Sequence, residues 1–328
     1  MTTSPPSPHA IVGIATGYMG AKQLFAASRI GLFRALSDGP LGAAEIAQAT
    51  GVTPRMARIL ADCMAALGLL TRTDGRYALT HEAAAYLAGD RSELDLGPFL
   101  TFLNEISYGH WLQFDKTVDT TTPGDLDMSP ERWGTFMAGV MTYNALHAKM
   151  LGGLFDFSGY RELLDLGGLS SGFALEALRA NTGLRATFVY DPAFADSVAE
   201  QVREAGVDDR AVVTGAPTDT AKPEGEFDLV MVNHVVHRFT AEQNLDILRN
   251  ARAAAAPGAR LMLLDFFLDD DPEQRALDAL HAGEYLVIDG TVVYEESEVR
   301  GWLASTGWRT LDKLSLPGSP RLLLAEAV

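Results

Sequence analysis

At 328 residues, with 47% hydrophobic and 21% charged side chains, the chain is long enough for two domains with separate cores and has the balance of a soluble globular protein. Its net charge of −17, from 26 basic against 43 acidic residues, argues against nucleic acid and anionic membrane as partners, and the Lys and Arg are scattered. A single cysteine, Cys63, excludes an intrachain disulfide and fits a reducing compartment, and no apolar run nears the roughly 20 residues of a membrane span, so a cytoplasmic protein is expected.

The start, "MTTSPPSPHA", lacks the basic and apolar blocks of a signal peptide, and residues 1–9 read as a loose tail. Residues 10–38 suit one long helix, apolar on more than one face through Ile11, Ile14, Met19, Leu24, Ile30, Leu32, Phe33 and Leu36. Such a helix wants several neighbours, a second subunit among them, so a homodimer is expected. A short helix over 43–49, a turn at Gly51 and a second helix follow, the second capped by Thr53 with Pro54 at its first position. Cys63 falls within that helix and reads as a buried structural thiol. Two short strands around "TDG" then form a hairpin. This is a winged-helix pattern, taken to occupy 10–95. A DNA reader presents basic and polar residues on its second helix, whereas this one offers Arg55 and Arg58 among Ala, Leu and Met.

Residues 96–158 read as a helical linker with aromatic and Met residues at helical spacing. The plain reading of these is core. The sharper one makes Trp111, Phe136, Met137 and Met141 the lining of an apolar substrate pocket. From 159 to 328 the rhythm changes. "ELLDLGG", "ATFVYD", "AVVTG", "FDLVMVNHV" and "RLMLLDFF" are short apolar runs suited to strands buried on both faces, with helical stretches between them. The alternation predicts an α/β domain with a Rossmann-like, mostly parallel sheet of seven strands. The closing "TLDKLSLPGSPRLLLAEAV" has too short a turn for a crossover, so the last strand should be antiparallel.

Taken together, these pieces resemble the class I S-adenosylmethionine-dependent methyltransferases, specifically the small-molecule O-methyltransferases with an N-terminal winged-helix dimerisation domain. The most specific stretch is "FDLVMVNHVVHRFTAEQNLDILRNARAAAAPGARLMLLDFF". The resemblance implies a catalytic histidine at His237 and an acidic partner at Asp265, with Arg238 and Phe239 where the family has Asp-Trp. The residue types suit the chemistry: a neutral imidazole with pKa about 6.5 can accept a hydroxyl proton, and a carboxylate behind it fixes its tautomer. The family's further glutamate falls on Val292 or Val293 of "DGTVVYEESEV". His281 is taken as a pocket residue.

The same resemblance implies S-adenosylmethionine as cofactor, held by Asp165, Gly167 and Gly168 of "LLDLGGLSSG", by Asp191 after "TFVY", and by Asn233. The family's next two glycines fall on Leu169 and Ser171, and its adenine-side acid on Ala216, with Asp219 three residues on. Two readings of the cleft follow. One is methyl transfer to a small aromatic or polyketide-like secondary metabolite. The other is an enzyme on this fold that has lost methyl transfer, in favour of hydroxylation, decarboxylation or rearrangement, because Leu169 and Ser171 degrade the glycine loop. No metal is expected, although His234, His237, Asp265 and His281 have the residue types to converge on one.

Overall fold

The computed structural model describes residues 6–269 and 274–328. Residues 1–5 of the expected tail lie outside them, and its last residue, His9, already opens a helix. The chain divides into two compact units, one of them the chain up to Gly109 with Asp127–Tyr143, the other His110–Leu126 with Asn144–Val328.

In the first unit, helix α1 (His9–Arg29) ends well before the expected residue 38. Gly31 takes a left-handed φ of 73°, and the chain restarts as the single turn α2 (Leu32–Ala35). The apolar residues 30–36 prolong the helical pattern in sequence, but a left-handed glycine breaks the hydrogen-bond ladder and turns Leu32 and Phe33 into the core. Strand β1 (Leu41–Gly42), α3 (Ala43–Thr50) and α4 (Pro54–Ala66) follow. Gly51 caps α3 left-handed, and Thr53 Oγ1 accepts from Met56 N at 3.3 Å at the head of α4. Strands β2 (Leu70–Thr73) and β3 (Arg76–Leu79) form the hairpin, whose tip residues Asp74 and Gly75 have φ of 50° and 78°. Two successive positive φ values are what a right-twisted two-residue hairpin requires. The three strands pair in the order β1-β3-β2, giving the wing. Cys63 is half-buried rather than fully buried, and its burial pushes the thiol pKa up, away from reactivity.

Helices α5 (His81–Leu87) and α6 (Gly97–Phe102) continue this unit; a π-helical turn and the short α7 (Tyr108–Trp111) then lead to α8 (Phe114–Thr120). The long α9 (Pro130–Leu154) runs from the first unit into the second.

The second unit is built on β4 (Glu162–Leu166), α10 (Gly172–Ala180), β5 (Arg185–Tyr190), α11 (Pro192–Glu204), β6 (Ala211–Gly215), β7 (Phe227–Asn233), α12 (Ala241–Ala253) and β8 (Ala255–Asp265). It closes with α13 (Ala276–Asp289), α14 (Glu296–Ser305), β9 (Trp308–Ser315) and β10 (Arg321–Ala327). The seven strands pair in the order β6-β5-β4-β7-β8-β10-β9. All pairs are parallel up to β8, and β10 is antiparallel to both its neighbours, as expected. Leu164, Val230 and Leu263 face one apolar cluster and Leu163, Met231 and Leu264 another, so the central strands are buried on both faces. Successive crossovers run outward from β4 in one direction and from β7 in the other. The crevice beyond the carboxyl ends of these two strands is therefore the topological switch point, where ligands bind in open α/β sheets. Among the described residues no helix is long and apolar enough to cross a membrane.

One close approach in the first unit sets a test of packing. Gly139 of α9 lies so near α6 that a Cβ there would overlap the Cβ of Phe102, a backbone-proximal atom that cannot swing away. Gly139→Ala should lower unfolding stability by about 1–3 kcal/mol, the range for overpacking, as read by urea denaturation.

Candidate active site

Strand β7 ends at Asn233, and the next residue, His234, has a φ of 53°. Its N–H donates to Leu264 O at 2.8 Å, which carries the ladder one residue beyond the strand. A 3-10 turn over Val236–Arg238 then folds His237 back to the end of β8. Its Nδ1 lies 2.9 Å from Asp265 Oδ2 and 3.1 Å from Oδ1, and its backbone N–H approaches the same carboxylate at 3.4 Å. Phe266 N donates to Asp265 Oδ1 at 2.9 Å. The Asp265 side chain is 0% exposed and that of His237 is 13% exposed, so the acid is sealed and the imidazole reaches the crevice. Burial opposes charge on Asp265, yet its contact with the His237 imidazole holds the carboxyl below the usual carboxylate range.

The turn carrying His237 is itself pinned. Asn244, fully buried on α12, donates from Nδ2 to Val236 O at 2.9 Å and to Phe239 O at 3.1 Å. Tyr294 Oη donates to the same Phe239 carbonyl at 2.8 Å. The Tyr285 ring of α13 lies against the imidazole of His237, centroids 4.5 Å apart. Val292 N donates to His237 O at 3.3 Å, so the stretch that matches the family's further glutamate does run beside the histidine, with valines in that place. Sequence reasoning misses Asn244 and Tyr285. The one available sign is an Asn on the apolar face of a predicted helix.

Of the four side chains with the residue types for a metal, three do converge. Ligand atoms of His234, His237 and Asp265 lie within 4.8 Å of one another, a spacing able to hold a cation. In this structure the two histidines are spoken for otherwise. His237 faces Asp265, and His234 Nε2 lies 2.9 Å from Nδ1 of the buried His147 on α9. Burial pushes His234 down to about 4 and His147 well below its usual value, so this imidazole pair is neutral. His281 stays apart: its ring stacks on Phe266 at 3.7 Å and its Nδ1 bonds to Leu277 O at 2.7 Å. Phe266, His281 and Tyr285 thus form an aromatic wall next to His237. Trp111 packs against Gly283 of α13, where a Cβ would come within 2.9 Å of its ring, and donates Nε1–H to Glu284. Phe136, Met137 and Met141 belong to the other unit, where Phe136 meets Phe102 and Trp133 edge to face.

The residues expected to hold the cofactor sit at the switch point. Gly167 and Gly168 have φ of 78° and 86°, and a Cβ on the second would stand 2.8 Å from Asn233 O. These two positions are closed to other residues on conformation and on space. Leu169 and Ser171 are not: neither has a positive φ, and Ser171, with φ of −71°, turns its Oγ away to Gln201 at 2.7 Å. The loop therefore takes a left-handed φ only where glycine is kept, so Leu169 and Ser171 place no conformational strain on its backbone. Asp191 caps α11, accepting from Ala193 N at 2.9 Å with one oxygen, and stays half-exposed at the end of β5. Asn233 is 4% exposed; its Oδ1 accepts from Leu264 N at 3.2 Å, while its Nδ2 has no partner among the described residues. Arg238, on the turn beside it, likewise has a buried Nη1 without one. Orphaned buried donors at the mouth of a glycine cradle are what a polar ligand satisfies, so the residues present fit the adenosyl cofactor. Asp219 instead accepts from Gln243 at 2.9 Å. Asp165 lies beneath the loop, 2% exposed, with Tyr190 Oη 2.8 Å from its Oδ2.

Comparison with known proteins points the same way. Residues 12–89 match the profile of an O-methyltransferase dimerisation domain and residues 106–309 that of an O-methyltransferase domain. The 3-hydroxy-5-methyl-1-naphthoate 3-O-methyltransferase of Streptomyces sahachiroi is 30% identical, over 92% of this chain and 89% of that protein. The tetracenomycin polyketide synthesis 8-O-methyltransferase of Streptomyces glaucescens is 25% identical, over 97% and 96%. Among solved structures, the apo S-adenosylmethionine-dependent methyltransferase SibL matches with a TM-score of 0.84 and 26% identity, over 98% of this chain and 99% of that one.

The loop geometry separates its residues by experiment. Gly168→Ala should weaken binding of S-adenosylhomocysteine, measured calorimetrically, by at least about tenfold, since strain and overlap together cost roughly 1–3 kcal/mol. Leu169→Gly should bring no gain in affinity; a clear gain would show that the leucine obstructs the cofactor.

Proposed function

The chain belongs to the family of S-adenosylmethionine-dependent O-methyltransferases, and from that premise we propose that it methylates a hydroxyl of a small aromatic or polyketide-like secondary metabolite, with His237 as general base. The observation that carries this reading is the contact of His237 Nδ1 with a sealed carboxylate, 2.9 Å away. An ionised Asp265 accepts only, so the neutral imidazole keeps its proton on Nδ1 and turns the lone pair of Nε2 outward. That lone pair takes the acceptor's hydroxyl proton, and Asp265 stabilises the imidazolium that results. The bound cofactor supplies a methyl group on a sulfonium, open to in-line displacement by the oxygen. Gly167, Gly168, Asp191 and Asn233 would hold it, with Asp191 on the ribose hydroxyls.

An aromatic acceptor is supported by the half-buried rings of Tyr285 and His281 beside the base, with the buried Phe266 stacked behind His281. Rings of this kind bind flat, apolar molecules and orient them by stacking. The naphthoate named for one Streptomyces relative carries a fused aromatic ring system, and the other relative is named for polyketide synthesis. Trp111 extends the same set by way of Gly283 on α13.

We further read the active form as a homodimer in the cytoplasm. Helix α1 leaves Ile11, Val12, Ile14 and Tyr18 more than half exposed, with Ile14 at 84%, a stripe that a second copy would cover. It lies in the segment that matches the dimerisation profile.

The test is methyl transfer from labelled S-adenosylmethionine to a panel of hydroxynaphthoates and polycyclic phenols. His237→Gln should lower kcat by about a hundredfold or more while S-adenosylhomocysteine binding stays within about threefold, since the ring makes no proposed cofactor contact. Asp265→Asn should also cut kcat, because an amide there no longer selects the Nδ1–H tautomer. A His237→Gln enzyme of near-normal rate would remove the base from this reading.

A further inference from the structure

The family resemblance makes Asp165 a direct cofactor contact, and its surroundings assign it different work. Three oxygens meet beneath the glycine loop. Tyr190 Oη lies 2.8 Å from Asp165 Oδ2 and 2.9 Å from Ser170 O. Tyr190 is fully buried, and Asp165 and Ser170 nearly so, so water does not share the load. A carbonyl only accepts, and an ionised carboxylate only accepts. A phenol has one proton. Were Asp165 ionised, one of the two short contacts would join two oxygens with no hydrogen between them.

We propose that Asp165 is a carboxylic acid that donates its proton to Tyr190 Oη, which frees the Tyr190 hydroxyl to donate to Ser170 O, and that this acid–phenol–carbonyl chain sets the glycine loop for the adenosyl cofactor. Two protons then serve both contacts, and no buried oxygen faces another bare. The inference rests on the cofactor reading above and adds to it a positioning residue that touches the loop rather than the ligand.

The surroundings support a neutral acid. The register partners of Asp165 on β5 and β7 are Phe188 and Met231, both apolar. Tyr190 of β5 is the titratable group that touches it. Arg238, after β7, acts by charge on Tyr190. On α10, Glu176 pairs with Arg179 away from the sheet, and His147 of α9 is held neutral by burial. Asp191, one residue past Tyr190, spends an oxygen on its own helix cap. Burial accordingly pushes the Asp165 carboxyl up to about 7, against the lowering effect of the Tyr190 hydrogen bond.

The loop has other anchors that do not titrate. Gly167 N bonds to Val189 O at 2.8 Å and Ser171 Oγ to Gln201 at 2.7 Å. The Ser170 carbonyl lies between them, and Gly172 N donates to the Ser170 hydroxyl at 3.2 Å, which ties the same residue to the start of α10. Losing the Tyr190 bond therefore frees the middle of the loop while its ends stay fixed. The sign follows: the chain is complete below pH 7 and broken above it, so cofactor affinity falls as pH rises. A carboxylate that gripped the cofactor's ammonium directly would give the opposite sign.

The experiment titrates S-adenosylhomocysteine calorimetrically into wild type, Asp165→Asn and Tyr190→Phe at pH 6 and 8.5. Wild type should bind about fivefold or more weakly at the higher pH, the worth of one hydrogen bond. Asp165→Asn, whose amide N–H donates to Tyr190 as the acid does, should bind with no such pH dependence. Tyr190→Phe should be weakened already at pH 6 and also flat. Affinity that rises with pH in wild type, or an asparagine variant that keeps the slope, would overturn the proposal. Infrared spectroscopy of the unliganded wild type decides it separately: a protonated-carboxyl band at pH 6 should fade as pH rises through about 7, the value burial imposes. Its absence at pH 6 would overturn the proposal even if a variant fails to fold. No binding of the ligand at any pH would instead count against the cofactor reading, with the infrared result still deciding Asp165.

Discussion

A carboxylate with no route to water, Asp265, and the imidazole that keeps it charged are the contact on which the site depends. An isolated buried carboxylate is costly enough that it would take up a proton instead. Asp265 avoids this by receiving Nδ1 of His237, the backbone N–H of Phe266 and, more distantly, that of His237. The arrangement begins in the sheet. The register that sets Asn233 beside Leu264 brings the ends of β7 and β8 level, and the three-residue turn returns His237 across the gap. Register thus selects the tautomer, and the tautomer leaves Nε2 as the ring nitrogen with the lone pair. A slip of one residue would put Leu264 or Phe266 where the acid is needed.

Much of this is legible in the amino-acid sequence alone. Strands buried on both faces announce themselves as unbroken apolar runs, so the parallel sheet and its reversed last strand can be read directly. Thr53 with Pro54, and Asp74 with Gly75, are local signals with local causes, and the fold obeys them. The pairing of His237 with Asp265 is available because two residues that end neighbouring strands must be neighbours. The interruption at Gly31 is not, because a glycine among apolar residues fits both a continuous helix and a broken one until the core on either side is known. Tyr190, Asn244 and Tyr285 are hidden for a related reason. Each acts through one polar atom or one ring face across an interface between elements far apart in sequence. Nothing in the periodicity of a strand or helix shows which buried tyrosine has a partner for its hydroxyl.

The glycine loop separates two demands that a motif merges, backbone conformation and side-chain space. Counting glycines lends Leu169 and Ser171 the weight of defects. Backbone conformation redistributes it: left-handed φ values fall on Gly167 and Gly168 alone in this loop, and Ser171 has found a use in holding α11 through Gln201. A glycine matters where φ is positive or where a Cβ would strike backbone, and elsewhere in a loop its replacement is a matter of packing. The same distinction separates Gly168, hard against Asn233 O, from Gly172, where a Cβ would come no nearer than 3.2 Å to the Ser170 hydroxyl, a side-chain atom that can give.

Two aspartates of one sheet, on strands with only β7 between them, end in opposite states for the same kind of reason. Both are withdrawn from water. Asp265 meets an imidazole that can carry charge, so ionisation is rewarded and its carboxyl stays below the usual range. Asp165 meets a phenol, which offers one proton and is already wanted by Ser170, so ionisation goes unsupported and its carboxyl rises to about 7. Environment divides the two acids: one keeps its negative charge behind His237, and the other is the hydrogen-bond donor that we propose under the loop. Neither role is written in the residue type. Each follows from the partner that the next strand presents, His237 just beyond β7 in one case and Tyr190 at the end of β5 in the other.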